Sequence, residues 1–209
     1  DFLCVDVEHS PVDVSQTFAM FQAIKSGNIN CGNFVRLHGV DYSFVKRYLD
    51  AGADGVIAPL VNTKEQAALL IEATKFPPFG KRGVGFCRAN KFGQSLSEYV
   101  KNANDDIFVA IQIEDKLGVD NIEEILSVDG IDAVFIGPYD LSASLGITAE
   151  FDNPKYIEAT EHVLSVCNNK KITAGIHVVN PDPNEFLVRV KEGYKLLAYS
   201  LDITFLTSK

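Results

Sequence analysis

The chain has 209 residues, of which 46% are hydrophobic and 22% are charged, and its formal net charge is −9. This composition is typical of a globular protein and excludes disordered chains. The acidic balance argues against nucleic acid as a partner, because negative surfaces repel phosphates. No apolar run reaches the roughly 18 residues that a membrane-spanning helix needs, so no membrane association is expected.

Four cysteines occur without CxxC spacing or a dense framework: Cys4, Cys31, Cys87 and Cys167. This usage predicts reduced thiols in a cytoplasmic protein. The sequence opens directly on an apolar run, and its single methionine is Met20. We therefore expect further residues in front of it.

Seven short apolar runs, rich in β-branched residues, predict seven strands along the chain. These runs are Phe2–Val7, Asn33–Leu37, Gly55–Pro59, Phe108–Glu114, Ala133–Gly137, Thr173–Val178 and Leu196–Leu201. Six segments between them carry apolar residues at helical spacing. These segments are Val14–Lys25, Asp41–Ala51, Thr63–Thr74, Val119–Leu126, Lys155–Asn168 and Asn184–Lys191. Strands that alternate with helices predict a parallel sheet.

The predicted fold is a single α/β domain over residues 1–209, a (β/α)8 TIM barrel. Such a barrel needs an eighth strand, so we expect its first strand to be missing from this chain. The terminal LDITFLTSK is expected to begin a last helix. The alternative is a doubly wound open sheet, but no GxGxxG follows a first strand. Pro77–Gln94, rich in Gly and Pro, predicts a long loop with a functional role.

Polar residues end the first two predicted strands, where the active sites of barrels lie. Asp6 and Glu8 face inward by strand alternation, and His9 follows them. Arg36 ends the next strand on its inward face, where a guanidinium suits a substrate carboxylate or an enolate oxygen. Two structural alternatives stay open. Asp6 and Glu8 belong to a solvated strand end, or Arg36 forms an ion pair with one of them.

Two further carboxylates, Glu114 and Asp140, end neighbouring strands. Strands lie about 5 Å apart, and carboxylates at that distance repel each other unless a cation separates them. Two acids plus water suit Mg²⁺ or Mn²⁺. The alternative, that Asp140 caps the turn after it, is equally compatible with the spacing. The histidines show no zinc spacing, no GxSxG is present, and no inward lysine ends a strand to form a Schiff base.

The chain resembles the HpcH/HpaI aldolase and citrate lyase family. The resemblance rests on FLCVDVEHSP, NFVRL, AGADGVIAPLVNTKEQA, FPPFGKRGVGFCRA, VAIQIEDKLGVDNIEEIL and GIDAVFIGPYDLSASLG, which follow in order from residue 2 to about residue 205. The QIE and GPxDLSxSLG segments are the most specific of these. Tyr139 departs from the pattern, because many members carry a smaller residue there.

The resemblance implies a role for each candidate residue. Glu114 and Asp140 would bind a divalent metal, Mg²⁺ or Mn²⁺, with Co²⁺ also possible. Substrate would be bound by Gln112 and by the segment Gly137, Pro138, Tyr139 and Asp140, whose backbone receives a carboxylate. Catalysis would use His9 as acid and base, Arg36 at the enolate oxygen, Asp6 as a further acid, and Asp50 as the partner of His9. Asp50 is expected to act from a neighbouring subunit.

The implied activity is that of a class II aldolase, a carbon–carbon lyase that reversibly splits a 4-hydroxy-2-oxo acid into pyruvate and an aldehyde. The resemblance also implies a homo-oligomer, a trimer or a homohexamer. Two alternatives remain. One is a lyase for β-hydroxyacyl-CoA thioesters, although this acidic chain offers few cations for CoA phosphates. The other is a catalytically silent barrel that binds a 2-oxo acid.

Overall fold

Seven β-strands alternate with α-helices in the computed structural model, which describes residues 1–207. The strands are β1 (Phe2–Asp6), β2 (Gly32–Arg36), β3 (Gly55–Ala58), β4 (Phe108–Ile113), β5 (Ala133–Ile136), β6 (Thr173–Val178) and β7 (Leu196–Tyr199). Each predicted strand is confirmed to within two residues at its ends. The alternation of periodic segments along the sequence therefore locates the strands correctly.

Ten α-helices connect or follow the strands in the described part of the chain. They are α1 (Val14–Gly27), α2 (Tyr42–Asp50), α3 (Lys64–Thr74), α4 (Leu96–Asp106), α5 (Lys116–Asp120), α6 (Ile122–Ile125), α7 (Pro138–Ser144), α8 (Pro154–Lys170), α9 (Pro183–Glu192) and α10 (Asp202–Thr207). The predicted helix 119–126 is divided at Asn121 into α5 and α6. Of the predicted final helix, residues 208 and 209 lie outside the described residues.

Two helices were not predicted. The helix α4 carries apolar residues at helical spacing, Leu96, Tyr99, Val100 and Ala103, although only Ala103 is buried, so its pattern was present in the sequence and went unrecognised. The helix α7 has only seven residues and begins with Pro138. The N–H group of the first helical residue has no partner within the helix, so the missing N–H of proline costs no hydrogen bond there. The residues of α7, predicted as strand end and turn, are helical instead.

The strands form one sheet in the order β1 to β7, so strands that follow each other in the chain are neighbours. The pairs β1–β2, β2–β3, β5–β6 and β6–β7 are parallel. The predicted α/β class is therefore confirmed. No helix among residues 1–207 is long and apolar enough to cross a membrane.

The chain divides into two compact units. The first contains residues 1–59, 65–110 and 128–130, and the second contains residues 60–64, 111–127 and those from Ile131 onward. In the first unit, the ring of Phe34 stacks on Phe2 with centroids 4.5 Å apart and lies 5.4 Å from Phe108. A Cβ on Gly55 would lie 2.7 Å from that ring, so Gly55 leaves the space it fills.

In the second unit, β6 and β7 approach each other closely at Gly175, which pairs with Leu196. A Cβ on Gly175 would lie 2.6 Å from the carbonyl oxygen of Leu196 and 3.1 Å from the Phe135 ring. Because the first of these contacts is to backbone, it cannot be relieved by rotating a side chain. Gly175 therefore sets the spacing of these two strands.

We expect Gly175→Ala to lower the free energy of unfolding by about 1–3 kcal/mol, the usual cost of overpacking a core. Urea unfolding followed by circular dichroism measures this change. The matched control is Gly27→Ala, at a position where a Cβ has no neighbour within 4 Å. This control should be neutral or slightly stabilising, because alanine favours a helix. Equal stability of the two variants would contradict the prediction.

Candidate active site

In the first unit, a bidentate ion pair joins the ends of β1 and β2. Arg36 donates from Nε to Asp6 Oδ1 at 2.9 Å and from Nη2 to Asp6 Oδ2 at 2.6 Å. Its Nε also lies 3.4 Å from Glu8 Oε2. Arg36 therefore forms an ion pair with Asp6, as the structural alternative predicted. The two bonds to Asp6 use Nε and Nη2, and Nη1 takes no part in this ion pair.

The ion pair shifts the titration of both partners. Burial acts to raise the pKa of the Asp6 carboxyl, but the hydrogen bonds and charge of Arg36 outweigh it, so the pKa falls below its usual value. Burial acts to lower the pKa of Arg36, but Asp6, followed by Glu8, raises it. Both groups are therefore charged at neutral pH.

His9 lies at the same end of β1 as the ion pair, with its side chain 63% exposed. Its Nε2 is 3.8 Å from Glu8 Oε2, and its backbone N–H donates to Asp6 Oδ1 at 3.4 Å. The Asp6 carboxylate also accepts the N–H of Glu8 at 3.0 Å, so one carboxylate orders the whole turn after β1. The structure thus brings Asp6, His9 and Arg36 together.

Asp50 lies at the opposite end of the strands in this unit. It is the last residue of α2, which returns from the carboxyl end of β2. A few residues later, Asp54 exchanges hydrogen bonds with Asn33 at the beginning of β2, both 2.8 Å long. Asp50 and His9 of one chain are therefore separated by the length of a strand.

The partner of Asp50 is Arg82, a residue that sequence reasoning missed. The Arg82 side chain is 0% exposed and donates from Nη2 to Asp50 Oδ1 at 2.9 Å and to the Tyr99 hydroxyl at 3.0 Å. Its guanidinium carbon lies 4.6 Å from the centre of the Phe76 ring. Asp50, which reads as a surface residue in the sequence, is thus anchored. The sequence signal was weak, because Arg82 is one of four cations in the segment 77–94, together with Lys81, Arg88 and Lys91.

In the second unit, the Glu114 carboxylate is buried at the end of β4. Glu114 is 3% exposed, and its Oε1 accepts the N–H of Leu60 at 2.9 Å. Its Oε2 accepts the side-chain amide of Gln112, which is 1% exposed. The Gln112 Oε1 atom is buried without a hydrogen-bond partner in the described part of the chain. Gln112 therefore presents one occupied and one unoccupied polar atom.

Gly137 leaves the space that Glu114 and Gln112 occupy. A Cβ on Gly137 would lie 2.6 Å from Glu114 Oε2 and 2.9 Å from Gln112 Nε2. Its N–H donates to Ile113 across the strands at 3.3 Å. Because Gly137 has no side chain, its backbone can lie close to the Glu114 carboxylate.

The segment after Gly137 forms the start of α7. Pro138 is buried, whereas Tyr139 and Asp140 are exposed. Gly137 is the N-cap residue and Asp140 is the third residue of the helix. The capping alternative for Asp140 is therefore wrong, and its carboxylate remains available to solvent or to a cation.

The donor set suits a hard divalent cation. Each oxygen of a carboxylate has two lone pairs, so a carboxylate such as that of Glu114 can bind a metal ion while it accepts hydrogen bonds. Asp140 adds an exposed carboxylate, and oxygen ligands with remaining water are what Mg²⁺ prefers. No cluster of three or more His, Cys, Asp or Glu side chains able to bind a metal occurs in residues 1–207. The described residues therefore supply no metal site with three protein ligands.

We expect Asp6→Asn to lower the free energy of unfolding at pH 7 by roughly 1–2 kcal/mol, because it removes a charged hydrogen-bond acceptor. The folded-state pKa of Asp6 is depressed, so its contribution is present above the unfolded value of about 3.9 and is lost as pH falls. Urea unfolding at pH 7 and pH 3 should show the difference from the unsubstituted chain shrinking on acidification. Asp105→Asn, at an exposed position, is the control. A difference that persists at pH 3 would contradict this linkage.

Comparison with known proteins identifies close relatives. The model of the HpcH/HpaI aldolase/citrate lyase family matches residues 1–207. The chain is 44% identical over 148 residues to a hydroxypyruvate/pyruvate aldolase of Deinococcus radiodurans, covering 70% of this chain and 52% of that protein. It thus spans about half the length of that relative. A hydroxypyruvate/pyruvate aldolase of Chromohalobacter salexigens is 34% identical, covering 99% of this chain and 80% of that protein.

A solved structure agrees with these relatives. A HpcH/HpaI aldolase/citrate lyase family protein from Burkholderia cenocepacia J2315 superposes with a TM-score of 0.93 at 34% identity. The superposition covers 99% of this chain and 81% of that chain. Since the family model spans nearly the whole sequence, the chain belongs to the HpcH/HpaI aldolase/citrate lyase family.

Proposed function

We propose that this chain is a metal-dependent class II pyruvate aldolase that reversibly cleaves a 4-hydroxy-2-oxo acid to pyruvate and an aldehyde. The observation that carries the proposal is the buried Glu114 carboxylate, held by Leu60 and Gln112 against Gly137. A buried carboxylate is costly unless it is paired or binds a metal. The names of the relatives, which are hydroxypyruvate/pyruvate aldolases, support the same activity.

The proposed metal ligands are Glu114 and Asp140. Mg²⁺ or Mn²⁺, or alternatively Co²⁺, would supply Lewis-acid polarisation of the 2-oxo group when bound. We propose that the backbone of Gly137, Pro138, Tyr139 and Asp140 receives the substrate carboxylate, because the first N–H groups of a helix lack partners within it. The Gln112 side chain would then hydrogen-bond the substrate from within the same unit.

The remaining roles concern proton transfer and charge. In the cleavage direction, a base takes the proton of the C4 hydroxyl, the C3–C4 bond breaks, and its electrons pass to the 2-oxo oxygen as an enolate. A proton then returns to C3 to give pyruvate. We propose that His9, directly or through water, moves these protons. Arg36 would stabilise the enolate oxygen through Nη1, while Asp6 keeps the guanidinium oriented.

Asp50 is proposed as the carboxylate partner of His9 from a second copy of the chain. The support is its position, because Asp50 lies at the far end of the strands from the His9 of its own chain. The arrangement requires a homo-oligomer, for which we propose a trimer or a hexamer. We further propose that the chain forms one (β/α)8 domain and that the protein is cytoplasmic.

The test is proton–deuterium exchange at the pyruvate methyl group, followed by NMR with Mg²⁺ or Mn²⁺ and again with EDTA. We expect exchange that requires metal. Glu114→Gln and Arg36→Ala should each slow it at least about a hundredfold, because each removes several kcal/mol of stabilisation of the developing charge. The experiment needs no aldehyde, so it is independent of the second substrate.

Glu123→Gln is the control for Glu114→Gln, since it makes the same chemical change at an exposed position of the second unit. Its exchange rate should equal that of the unsubstituted chain. Absence of exchange with every metal would overturn the pyruvate aldolase and would favour a thioester lyase or a silent binding protein.

Gly137→Ala tests whether the close approach of the Gly137 backbone to the Glu114 carboxylate is needed for activity. The added Cβ would clash with Glu114 Oε2 and Gln112 Nε2, and so displace the proposed metal ligand. A shift of about 1 Å can cost on the order of a hundredfold in rate, so we expect a loss of that size in exchange. Thermal unfolding of the same preparation separates this loss from misfolding. An exchange rate within about twofold of the parent, with the fold intact, would show that Gly137 has no such role.

A further inference from the structure

Arg82 is a fully buried cation in the first unit. Its side chain is 0% exposed, and its Nε and Nη1 atoms are buried without a hydrogen-bond partner among the described residues. Its Nη2 atom carries the bonds to Asp50 and to the Tyr99 hydroxyl. Buried donors without partners cost free energy, and an apolar side chain of similar size is often no less stabilising than a buried ion pair. Stability alone therefore does not account for an arginine at this position.

The Asp50 carboxylate uses one oxygen within its own chain. Its Oδ1 accepts a hydrogen bond from Arg82 Nη2 at 2.9 Å, whereas its Oδ2 makes no hydrogen bond within residues 1–207. The side chain is 23% exposed, so the carboxylate reaches the surface of the unit. Arg82 thus holds one oxygen of Asp50 from the inside and leaves the other to a donor that lies outside the chain.

Two aromatic rings restrict the orientation of the Arg82 guanidinium. Its central carbon lies 4.6 Å from the centre of the Phe76 ring and 5.5 Å from the centre of the Tyr99 ring. Both distances are within the range of cation–π contacts, which are stronger when the cation is desolvated. The two rings also meet each other edge to face, with centroids 6.1 Å apart. These contacts limit the directions from which Nη2 can donate to Asp50.

The Arg82 backbone is tied to the helix that carries Asp50. The Tyr42 hydroxyl donates to the carbonyl oxygen of Lys81 at 2.9 Å and accepts the N–H of Gly83 at 3.0 Å, so it contacts both neighbours of Arg82. Tyr42 is the first residue of α2 and Asp50 is the last. One helix therefore fixes the position of the arginine at its beginning and presents the carboxylate to it at its end.

We infer that Arg82 is a positioning residue of the proposed reaction, which aligns the Asp50 carboxylate for the His9 of a second copy of the chain. The inference rests on the proposed function, in which Asp50 is the partner of His9. Arg82 acts through Asp50 and not on the substrate. Because it belongs to the chain that supplies Asp50, its loss impairs the site of the neighbouring copy. A residue that only maintains the fold would instead impair its own chain.

The first test is the rate of pyruvate exchange in Arg82→Lys. Lysine keeps the charge but replaces the planar fork by a single nitrogen, so Asp50 loses a directed donor. We expect kcat for exchange to fall at least about tenfold while KM for pyruvate stays within about twofold, because His9 moves protons and does not hold pyruvate. The matched control is Arg47→Lys at an exposed position of α2, which should exchange at the parent rate.

Tyr99→Phe guards against a folding defect, because the ring and its packing remain. It removes the hydroxyl that shares Nη2 of Arg82 with Asp50. We expect kcat for exchange to fall about fivefold, the usual effect of one hydrogen bond, with thermal unfolding close to that of the parent. An unchanged kcat in both Tyr99→Phe and Arg82→Lys would overturn the inference.

The second test is complementation in mixed oligomers, made by co-expressing two chains with different tags and purifying over both tags. The pair His9→Ala and Asp50→Asn forms sites with an intact His9 from one chain and an intact Asp50 from the other. Exchange should therefore rise well above that of either variant alone. Arg82→Lys should behave as Asp50→Asn does, so that His9→Ala restores it and Asp50→Asn does not.

The outcomes separate this inference from the proposed function. If His9→Ala restores Asp50→Asn but not Arg82→Lys, or if the loss in Arg82→Lys lies in KM, Arg82 only maintains the fold and the inference is overturned. If His9→Ala does not restore Asp50→Asn, the proposed role of Asp50 is refuted and the inference with it. Absence of exchange in the unsubstituted chain would refute the aldolase itself.

Discussion

The burial of the Glu114 carboxylate is the constraint on which the proposed chemistry depends. An ionised group removed from water is stable only when its oxygens are supplied with donors or a cation. Leu60 and Gln112 supply two of these donors. Gly137 has no side chain, which leaves room for the carboxylate. Leu60, Gln112 and Gly137, which are far apart in the sequence, thus all accommodate the charge of the Glu114 carboxylate.

The first unit solves a similar problem by different means. Arg36 is a permanent cation, and Asp6 binds two of its nitrogens, so its direction is set before any ligand arrives. The same Asp6 carboxylate accepts the N–H groups of Glu8 and His9. A single acid therefore organises both the cation and the exposed histidine. This explains why an inward acid on β1 is structural and is still suited to a catalytic role.

The sequence pattern predicted the strands and some site residues, but it did not predict contacts between segments that are distant in the chain. Strands such as β4 were recognisable because their apolar residues recur in short runs, and Glu114 and Arg36 because they interrupt that pattern. Arg82 was not, since its partners Asp50, Phe76 and Tyr99 come from distant segments. The same holds for two residues of α9. Glu185 and Arg189 read as an ordinary solvated helix face until the fold places them beside Phe151.

Leu60 illustrates a tension between folding and function at one position. Its φ of 51° lies in the left-handed region, which costs a residue with a side chain about 1–2 kcal/mol. Its side chain gains little in return, being 51% exposed, yet its N–H binds Glu114. Glycine would adopt this conformation without strain but would also loosen the segment in which the donor sits. Selection for thermal stability alone would therefore favour a residue that adopts this backbone conformation without strain. Such a change would leave the Glu114 carboxylate less well oriented.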